Sequence, residues 1–314
     1  MNPLTGLYGA GIALRNTLFD RGVLPAMRLQ QPVVSVGNLS AGGSGKTPFV
    51  IALGELLKER GVRFDVLSRG YRRQTRGVLV VDPAGTAAHF GDEPLLIAQK
   101  LGIPVVVGES RYQAGRVSEQ KFQTQLHILD DGFQHRSLAR DFDIVLLTAG
   151  DFEDRLLPSG RLREPLSALR RADAVVLPGG LAAEHPALRG KPVWRIRREI
   201  ALSQVPPSPI VFCGIARPEQ FFEQVRAAGI NPSAEITFRD HYAYDQNSVQ
   251  GLMAMHRERA AGGFLTTEKD AINLGPLRSG LEPLAVATLR LTIDRPADLV
   301  DTILARIANR KPRS

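Results

Sequence analysis

Val33-Val34-Ser35-Val36-Gly37-Asn38-Leu39-Ser40-Ala41-Gly42-Gly43-Ser44-Gly45-Lys46-Thr47 is the stretch that decides the fold. Val33 to Val36 is a β-branched run that reads as a strand, and Thr47 to Arg60 carries apolar residues at helical spacing. Glycines between a strand and a helix let backbone N–H groups turn inward around phosphate oxygens, and the helix N-terminus adds a positive dipole end. Lys46 is placed to reach β- and γ-phosphates, and the Thr47 hydroxyl to hold Mg²⁺. Ser40 stands where such loops usually open with glycine. The expected nucleotide-binding residues are Ser40, Ala41, Gly42, Gly43, Ser44, Gly45, Lys46 and Thr47. Ala41 precedes the glycine pair where one class of ATPases carries a second lysine, which argues against that class. A guanine-reading Asn-Lys-x-Asp is missing, since Lys269-Asp270 has the wrong spacing. The expected ligands are therefore ATP and Mg²⁺.

Working outward, further short strands are expected at 63–67, 78–81, 104–107, 126–129, 144–147 and 174–177, with helices near 94–101 and 111–122. That alternation implies an α/β fold, a P-loop NTPase-like, mostly parallel sheet with helices on both faces. Ligands in such sheets sit beyond the carboxyl ends of the strands. Around 191–208 the texture changes: a short basic strand, Val193 to Arg198, runs into the proline-containing stretch Val205 to Pro209. A strand at Ile210 to Cys213 then opens a second, smaller α/β domain, with helices near 219–228, 248–260 and 296–307. The expected organisation is 1–28 as an N-terminal helix, 29–190 as the P-loop domain, 191–208 as an interdomain linker and 209–314 as the smaller domain.

The chain has 314 residues, 43% of them hydrophobic and 23% charged, which excludes disorder and collagen-like structure. Forty basic residues against 32 acidic give a net charge of +8, and 33 of the forty are arginine. A guanidinium is a flat fork suited to phosphate oxygens, so the excess points to an anionic partner. The single cysteine, Cys213, rules out an internal disulfide and a Cys-based zinc site, and a cytosolic environment fits best. No stretch is apolar for the roughly 18 residues that a membrane-spanning helix needs. Within 1–28 no basic residue precedes the apolar run and no small-residue cleavage site follows it, so a signal peptide is not expected. Leu4, Leu7, Tyr8, Gly11, Leu14 and Leu18 recur at helical spacing, followed by Arg15, Arg21 and Arg28. The pattern fits a helix packed on its own domain or one lying in a membrane interface.

Leu126-His127-Ile128-Leu129-Asp130-Asp131 is an apolar strand ending in two carboxylates, the form of an element whose acid faces the nucleotide's Mg²⁺. The residues leave open which of Asp130 and Asp131 touches the metal. Gly132-Phe133-Gln134-His135 follows, and Gln134 and His135 are suited to a polar substrate. Gly91-Asp92-Glu93-Pro94 puts two carboxylates in the first turn of a helix, where capping alone would also explain them. Ser68-Arg69-Gly70-Tyr71-Arg72-Arg73 and Arg161-Leu162-Arg163-Glu164-Pro165 add guanidiniums. Chemistry alone places Arg163 near a transferring phosphate.

These motifs, in this order, together with Phe212-Cys213-Gly214-Ile215-Ala216-Arg217-Pro218, Asp240-His241 and Thr267-Glu268-Lys269-Asp270, resemble the tetraacyldisaccharide 4′-kinases, the lipid A 4′-kinases of Gram-negative bacteria. The resemblance runs from the N-terminal helix to about residue 275. It implies transfer of the ATP γ-phosphate to the 4′-hydroxyl of an acylated glucosamine disaccharide 1-phosphate. It also implies attachment to the cytoplasmic face of the inner membrane through the N-terminal helix. By the same resemblance Asp92 is the general base and His241 its partner, brought together across two domains. Asp130, Asp131, Glu93 and Thr47 are implied around Mg²⁺, and Arg111, Gln134, His135 and Glu164 around the disaccharide and its phosphate. The competing reading is a P-loop ATPase that serves as a nucleotide-switched binding protein. A nucleic-acid partner is not expected, because aromatic residues make up only 6% of the chain and no stacking motif stands out.

Overall fold

The computed structural model describes residues 3–182 and 184–310. The first two residues of the expected N-terminal helix and the last four of the second unit lie outside them. Helix α1 (Pro3–Asp20) is followed by β1 (Val33–Asn38), α2 (Lys46–Glu59), β2 (Phe64–Ser68), β3 (Leu79–Val80), α3 (Ala87–Phe90) and α4 (Asp92–Leu101). Next come β4 (Val105–Val107), α5 (Arg111–Lys121), β5 (Leu126–Asp130), β6 (Phe142–Leu146), β7 (Ala174–Pro178) and β8 (Val193–Ala201). The chain continues through β9 (Ile210–Cys213), α6 (Pro218–Ala227), β10 (Ala234–Thr237), α7 (Gln246–Glu258) and β11 (Phe264–Thr267). It ends with α8 (Glu268–Leu274), β12 (Leu284–Ile293) and α9 (Pro296–Ala308).

All twelve strands join one sheet in the order β10-β9-β11-β12-β8-β7-β6-β1-β5-β2-β4-β3. Strand β1 is buried along its whole length between β5 and β6, both parallel to it. That is why it reads as a continuous apolar run rather than an alternating one. On one face α2 buries Phe49, Val50, Leu53 and Leu57 against Leu95 and Leu101 of α4. Each such side chain contributes roughly 1.5–3 kcal/mol relative to exposure. The other face is covered by α5 and by the 162–188 segment.

Two blocks, parallel apart from the edge strand β3, which runs antiparallel to β4, meet at an antiparallel seam. Strand β8 pairs with β7 from Val193 to Ile196 and with β12 from Ile196 to Ala201. Strand β12 pairs with β11 from Leu284 to Ala287 and with β8 from Thr288 to Ile293. Residues 191–208, read as a connection, thus contain a nine-residue strand inside the sheet. Helix α9, grouped with the second unit from sequence, packs Leu299, Val300 and Ile303 into the core of the first. Strand β12 carries the chain back across the seam before that helix begins.

The first block also hides a charged triad. His127 on β5 is fully buried, with Nδ1 2.8 Å from Asp65 Oδ1 and Nε2 3.4 Å from Glu119 Oε1. Burial alone would lower its pKa, but the two carboxylates overcome this and raise it to about 9. A histidine raised in the folded state adds stability that is fully present below its unfolded pKa of about 6.5 and is lost as pH rises through the folded value. The melting temperature is therefore expected to fall between pH 7 and about pH 9. An Asp65→Asn variant is expected to show a flatter slope over that range. A wild-type melting temperature constant across the range would contradict this.

Candidate active site

The phosphate loop begins where β1 ends. Gly37 is required there, because a Cβ would fall 2.5 Å from Phe133 Cβ and 2.8 Å from the Phe133 backbone nitrogen. Gly42, Gly43 and Gly45 have φ of 76°, 51° and 83°, a left-handed run that side chains rarely adopt. Lys46 opens α2 and points back, with Nζ 3.2 Å from Asn38 Oδ1 and 3.4 Å from Asp131 Oδ1. The Ser44 hydroxyl is buried and without a partner. A second loop is laid against the first: Ala41 N donates to Arg161 O and Arg163 N donates to Leu39 O, each at 2.7 Å. That pairing carries Arg163 into the site. Its guanidinium grips both Asp131 oxygens, at 2.9 and 3.0 Å, and donates to Asn38 Oδ1.

The two carboxylates at the end of β5 are driven apart. Asp130 is buried and accepts from Ser68 Oγ at 3.1 Å, while its Oδ1 has no partner. Burial, then the negative charges of Glu93 and Asp131, push it up to about 7. Asp131 sits at φ 51°, and although burial opposes it, Lys46 and Arg163 hold its carboxyl far below the usual range. Adjacent acids with opposed environments mark different roles. Among the described residues no three His, Cys, Asp or Glu side chains converge as a self-sufficient metal site.

Across the cleft, His241 Nδ1 lies 2.7 Å from Asp92 Oδ2. Asp92 is the first residue of α4, 4% exposed, and its Oδ1 accepts from the Glu93 N–H. Burial would raise its pKa, but the His241 hydrogen bond and the Lys269 charge bring it below the ordinary value. Lys269 Nζ is 3.2 Å from His241 Nε2, 3.4 Å from Asp240 Oδ1, 3.6 Å from Glu93 Oε1 and 3.7 Å from Asp92 Oδ2. An ammonium only donates, so His241 Nε2 accepts and Nδ1–H donates to Asp92. Arg72, from the first block, donates to the carbonyls of Asp240 and His241.

The cleft encloses about 1050 Å³ and is lined by Ala41 to Thr47 of the phosphate loop, Glu93, Arg111, Asp130, Asp131, Gln134, His135, Arg163, His241 and Lys269, with Ser40 buried behind it. Gln134 Nε2 donates to Asn38 O at 2.9 Å, leaving its buried Oε1 without a partner. His135 is pushed down to about 4 by burial and by Arg111, Arg140, Arg15 and Arg69, so it is neutral at neutral pH. Arg111 starts α5, is nearly buried, and has its pKa lowered by burial and by Arg69. Glu164 does not line the cleft. It is fully buried, accepting from Asn16 Nδ2 at 2.7 Å and from Arg171 Nη2 at 2.9 Å, and so ties α1 to the core. Sequence reasoning gave no role to Lys269, Asn38, Arg198 or Arg217. Lys269 and Arg217 lie inside motifs that carried the resemblance; Arg198 sits in an arginine-rich strand with nothing to single it out.

The family model described as LpxK: Tetraacyldisaccharide-1-P 4'-kinase matches residues 1–308. The chain belongs to this kinase family. A tetraacyldisaccharide 4'-kinase from Koribacter versatilis (strain Ellin345) is 47% identical, covering 99% of this chain and 100% of that one. Another from Aquifex aeolicus (strain VF5) is 39% identical, covering 95% of each. A crystal structure of Aquifex aeolicus LpxK, described as the "apo" form in complex with ATP, superposes with a TM-score of 0.79 at 37% identity. It covers 97% of this chain and 98% of that one. The chain is thus an ATP-dependent kinase, and the nucleotide-switched binding protein is not favoured.

Gly37 supplies a test of how the kinase site is held. Gly37→Ala is expected to destabilise the fold by roughly 1–3 kcal/mol, the range for overpacking a tight site, and to weaken ATP binding. A variant with unchanged melting temperature and ATP affinity would show that the 37–133 contact does not hold the loop.

Proposed function

We propose that the cleft transfers the ATP γ-phosphate to the 4′-hydroxyl of tetraacyldisaccharide 1-phosphate, with Asp92 as general base. The observation that carries this reading is the 2.7 Å bond from Asp92 to His241, a histidine that lines the same cleft as Lys46 and the phosphate loop. The 4′-oxygen forms a bond to the γ-phosphorus as the bond to the β–γ bridging oxygen breaks. ADP leaves with that electron pair, and the hydroxyl proton goes to Asp92. A positioned carboxylate contributes typically 10²–10⁴-fold to such a step. His241 orients Asp92 through Nδ1–H, while Lys46 and Arg163 stabilise charge on the phosphoryl oxygens. Residues 29–190 supply the nucleotide loop and base, and 209–314 supply the base's partner, with 191–208 between them.

Mg²⁺ fits the unpartnered Oδ1 of Asp130 and the Thr47 hydroxyl, with Glu93 nearby. Asp131 reaches it less directly, since Lys46 and Arg163 already engage both its oxygens. An ion held by one or two carboxylates and completed by phosphates and water is usual for Mg²⁺. It would draw negative charge off the phosphates. Gln134, His135 and Arg111 face the acceptor, Arg111 towards its 1-phosphate. Glu164 acts behind them, holding α1 in place.

Helix α1 supports attachment to the cytoplasmic face of the inner membrane. Among the described residues no helix is long and apolar enough to cross a bilayer. Yet α1 docks through polar groups: Tyr8 Oη donates to Arg163 O, Arg15 to Gln134 O and Asn16 to Glu164. Leu4, Leu7 and Leu14 stay 60–73% exposed. A helix that turns its polar side to the protein and its leucines outward is suited to lying in a lipid interface, beside an acylated substrate.

Two outcomes are expected. Asp92→Ala and His241→Ala each lower turnover, Asp92→Ala by roughly 10²–10⁴. The double variant is then far less impaired than the product of the single effects, because the two residues act as one unit. ATP affinity, measured by calorimetry, stays within about twofold throughout; multiplicative turnover losses would sink the dyad. Secondly, combining Leu4→Gln, Leu7→Gln and Leu14→Gln is expected to shift the protein off anionic vesicles in flotation with little change in melting temperature. Undiminished flotation would place the lipid contact elsewhere.

A further inference from the structure

Two guanidiniums lie against the phosphate loop with no acid to balance them. Arg198, on β8 opposite Leu291 of β12, donates through Nη2 to the Ser44 carbonyl and fills the space where Gly45 would carry a Cβ. Arg217, at the entry of α6, covers Gly43: a Cβ there would meet Arg217 Nε at 3.0 Å and Cγ at 3.2 Å. Ala216 lies beside it, its Cβ 3.7 Å from the same point on Gly42. Among the described residues neither arginine has a carboxylate within 4 Å, whereas Arg163 in the same cleft has Asp131. The two also repel each other, and burial together with the Arg217 charge lowers the pKa of Arg198. Both line the cleft that holds Lys46 and Asp131.

Half-buried like charges with no counter-ion are costly unless an anion completes the site. The anion here must bear several charges and must reach Gly42 to Gly45. We propose that Arg198 and Arg217 form a guanidinium clamp on the polyphosphate tail of ATP, opposite Lys46, with Arg217 touching the transferring phosphoryl group. This rests on the nucleotide site proposed above. Arg198 comes from the seam of the sheet and Arg217 from the second block, so phosphate contact from both sides requires the two blocks to meet at the loop. As the γ-phosphorus bonds to the acceptor oxygen and the electron pair moves to the departing ADP oxygen, charge grows where a planar fork can follow it. The motif Phe212 to Pro218 thereby gains a role in the chemistry, because it delivers Arg217 to the loop.

The test uses the full chain and compares ATP, ADP and AMP affinities by calorimetry with lipid-kinase turnover. Arg217→Ala is expected to weaken ATP about tenfold or more and to leave AMP within about twofold, the difference arising from charge-assisted bonds to the outer phosphates. Its turnover is expected to fall on the order of 10³, the lower end for an arginine of this kind. Arg217→Lys is expected to recover ATP affinity in part but not turnover, because a point charge lacks the fork. Arg198→Ala is expected to weaken both ATP and ADP. Melting temperatures report folding, and Arg217, partly exposed, can be replaced without emptying a core. Equal losses for ATP and AMP, or an unchanged ATP affinity in Arg217→Ala, would overturn the clamp. Lys46→Ala separates the two levels: if it loses ATP while the arginine variants do not, the clamp alone fails. If Lys46→Ala keeps ATP, the nucleotide site itself is misassigned and the clamp falls with it.

Discussion

The hydrogen bond between His241 Nδ1 and Asp92 Oδ2 joins two blocks of one sheet whose strands pair with each other along the β8–β12 seam. Asp92 begins a helix of the first block, and His241 lies in the loop after β10 of the second. The loop is held in an unusual shape for this: His241 has φ 55°, its N–H donates to Gly214 O, and Arg72 grips its carbonyl from the opposite block. A buried carboxylate is costly unless it is paired and its oxygens are bonded. Asp92 meets both conditions through His241, Asn273, the Glu93 N–H and Lys269. Removing one member strands the charge of the others, so the group behaves as a unit.

The phosphate end follows the same logic with opposite results. Asp131 is saturated by Lys46 and Arg163 and carries its charge easily, whereas Asp130 is buried with an unbonded oxygen and resists ionisation. A divalent cation would relieve the second more than the first. Both acids are fixed by the strand β5, whose register with β1 pairs Val36 with Asp130. The sheet therefore sets the distance between the loop and its acid, and side chains refine it.

Much of this is legible in the sequence. The run from Val33 to Thr47 became β1, the loop and the start of α2 because buried parallel strands are uniformly apolar and the loop needs glycines at positive φ. All seven expected strands of the first two-thirds are strands. Strands β10, β11 and β12 escaped: β10 is short, half-exposed and at the sheet edge, and β12 changes partner midway, so neither shows a single period. Asp92 and His241 were reached through a resemblance, because nothing local distinguishes an acid in a helix's first turn from a cap. Glu164 was placed on the substrate although its partners, Asn16 and Arg171, turn it inward; a side chain's direction is set by contacts that spacing does not encode. Lys269 went unassigned because its contacts exist only where three separate segments, 92–93, 240–241 and its own, converge.

The central claim is that Asp92 and His241 form one hydrogen-bonded unit across the two blocks, with Lys269 fixing which ring nitrogen carries the proton. Nitrogen-15 spectra of the His241 ring in the full chain at neutral pH test it directly. The expected result is a proton on Nδ1, protected from exchange by Asp92, with Nε2 bare, and loss of that protection in Asp92→Asn. A proton residing on Nε2, or a spectrum identical in the wild type and Asp92→Asn, would contradict it.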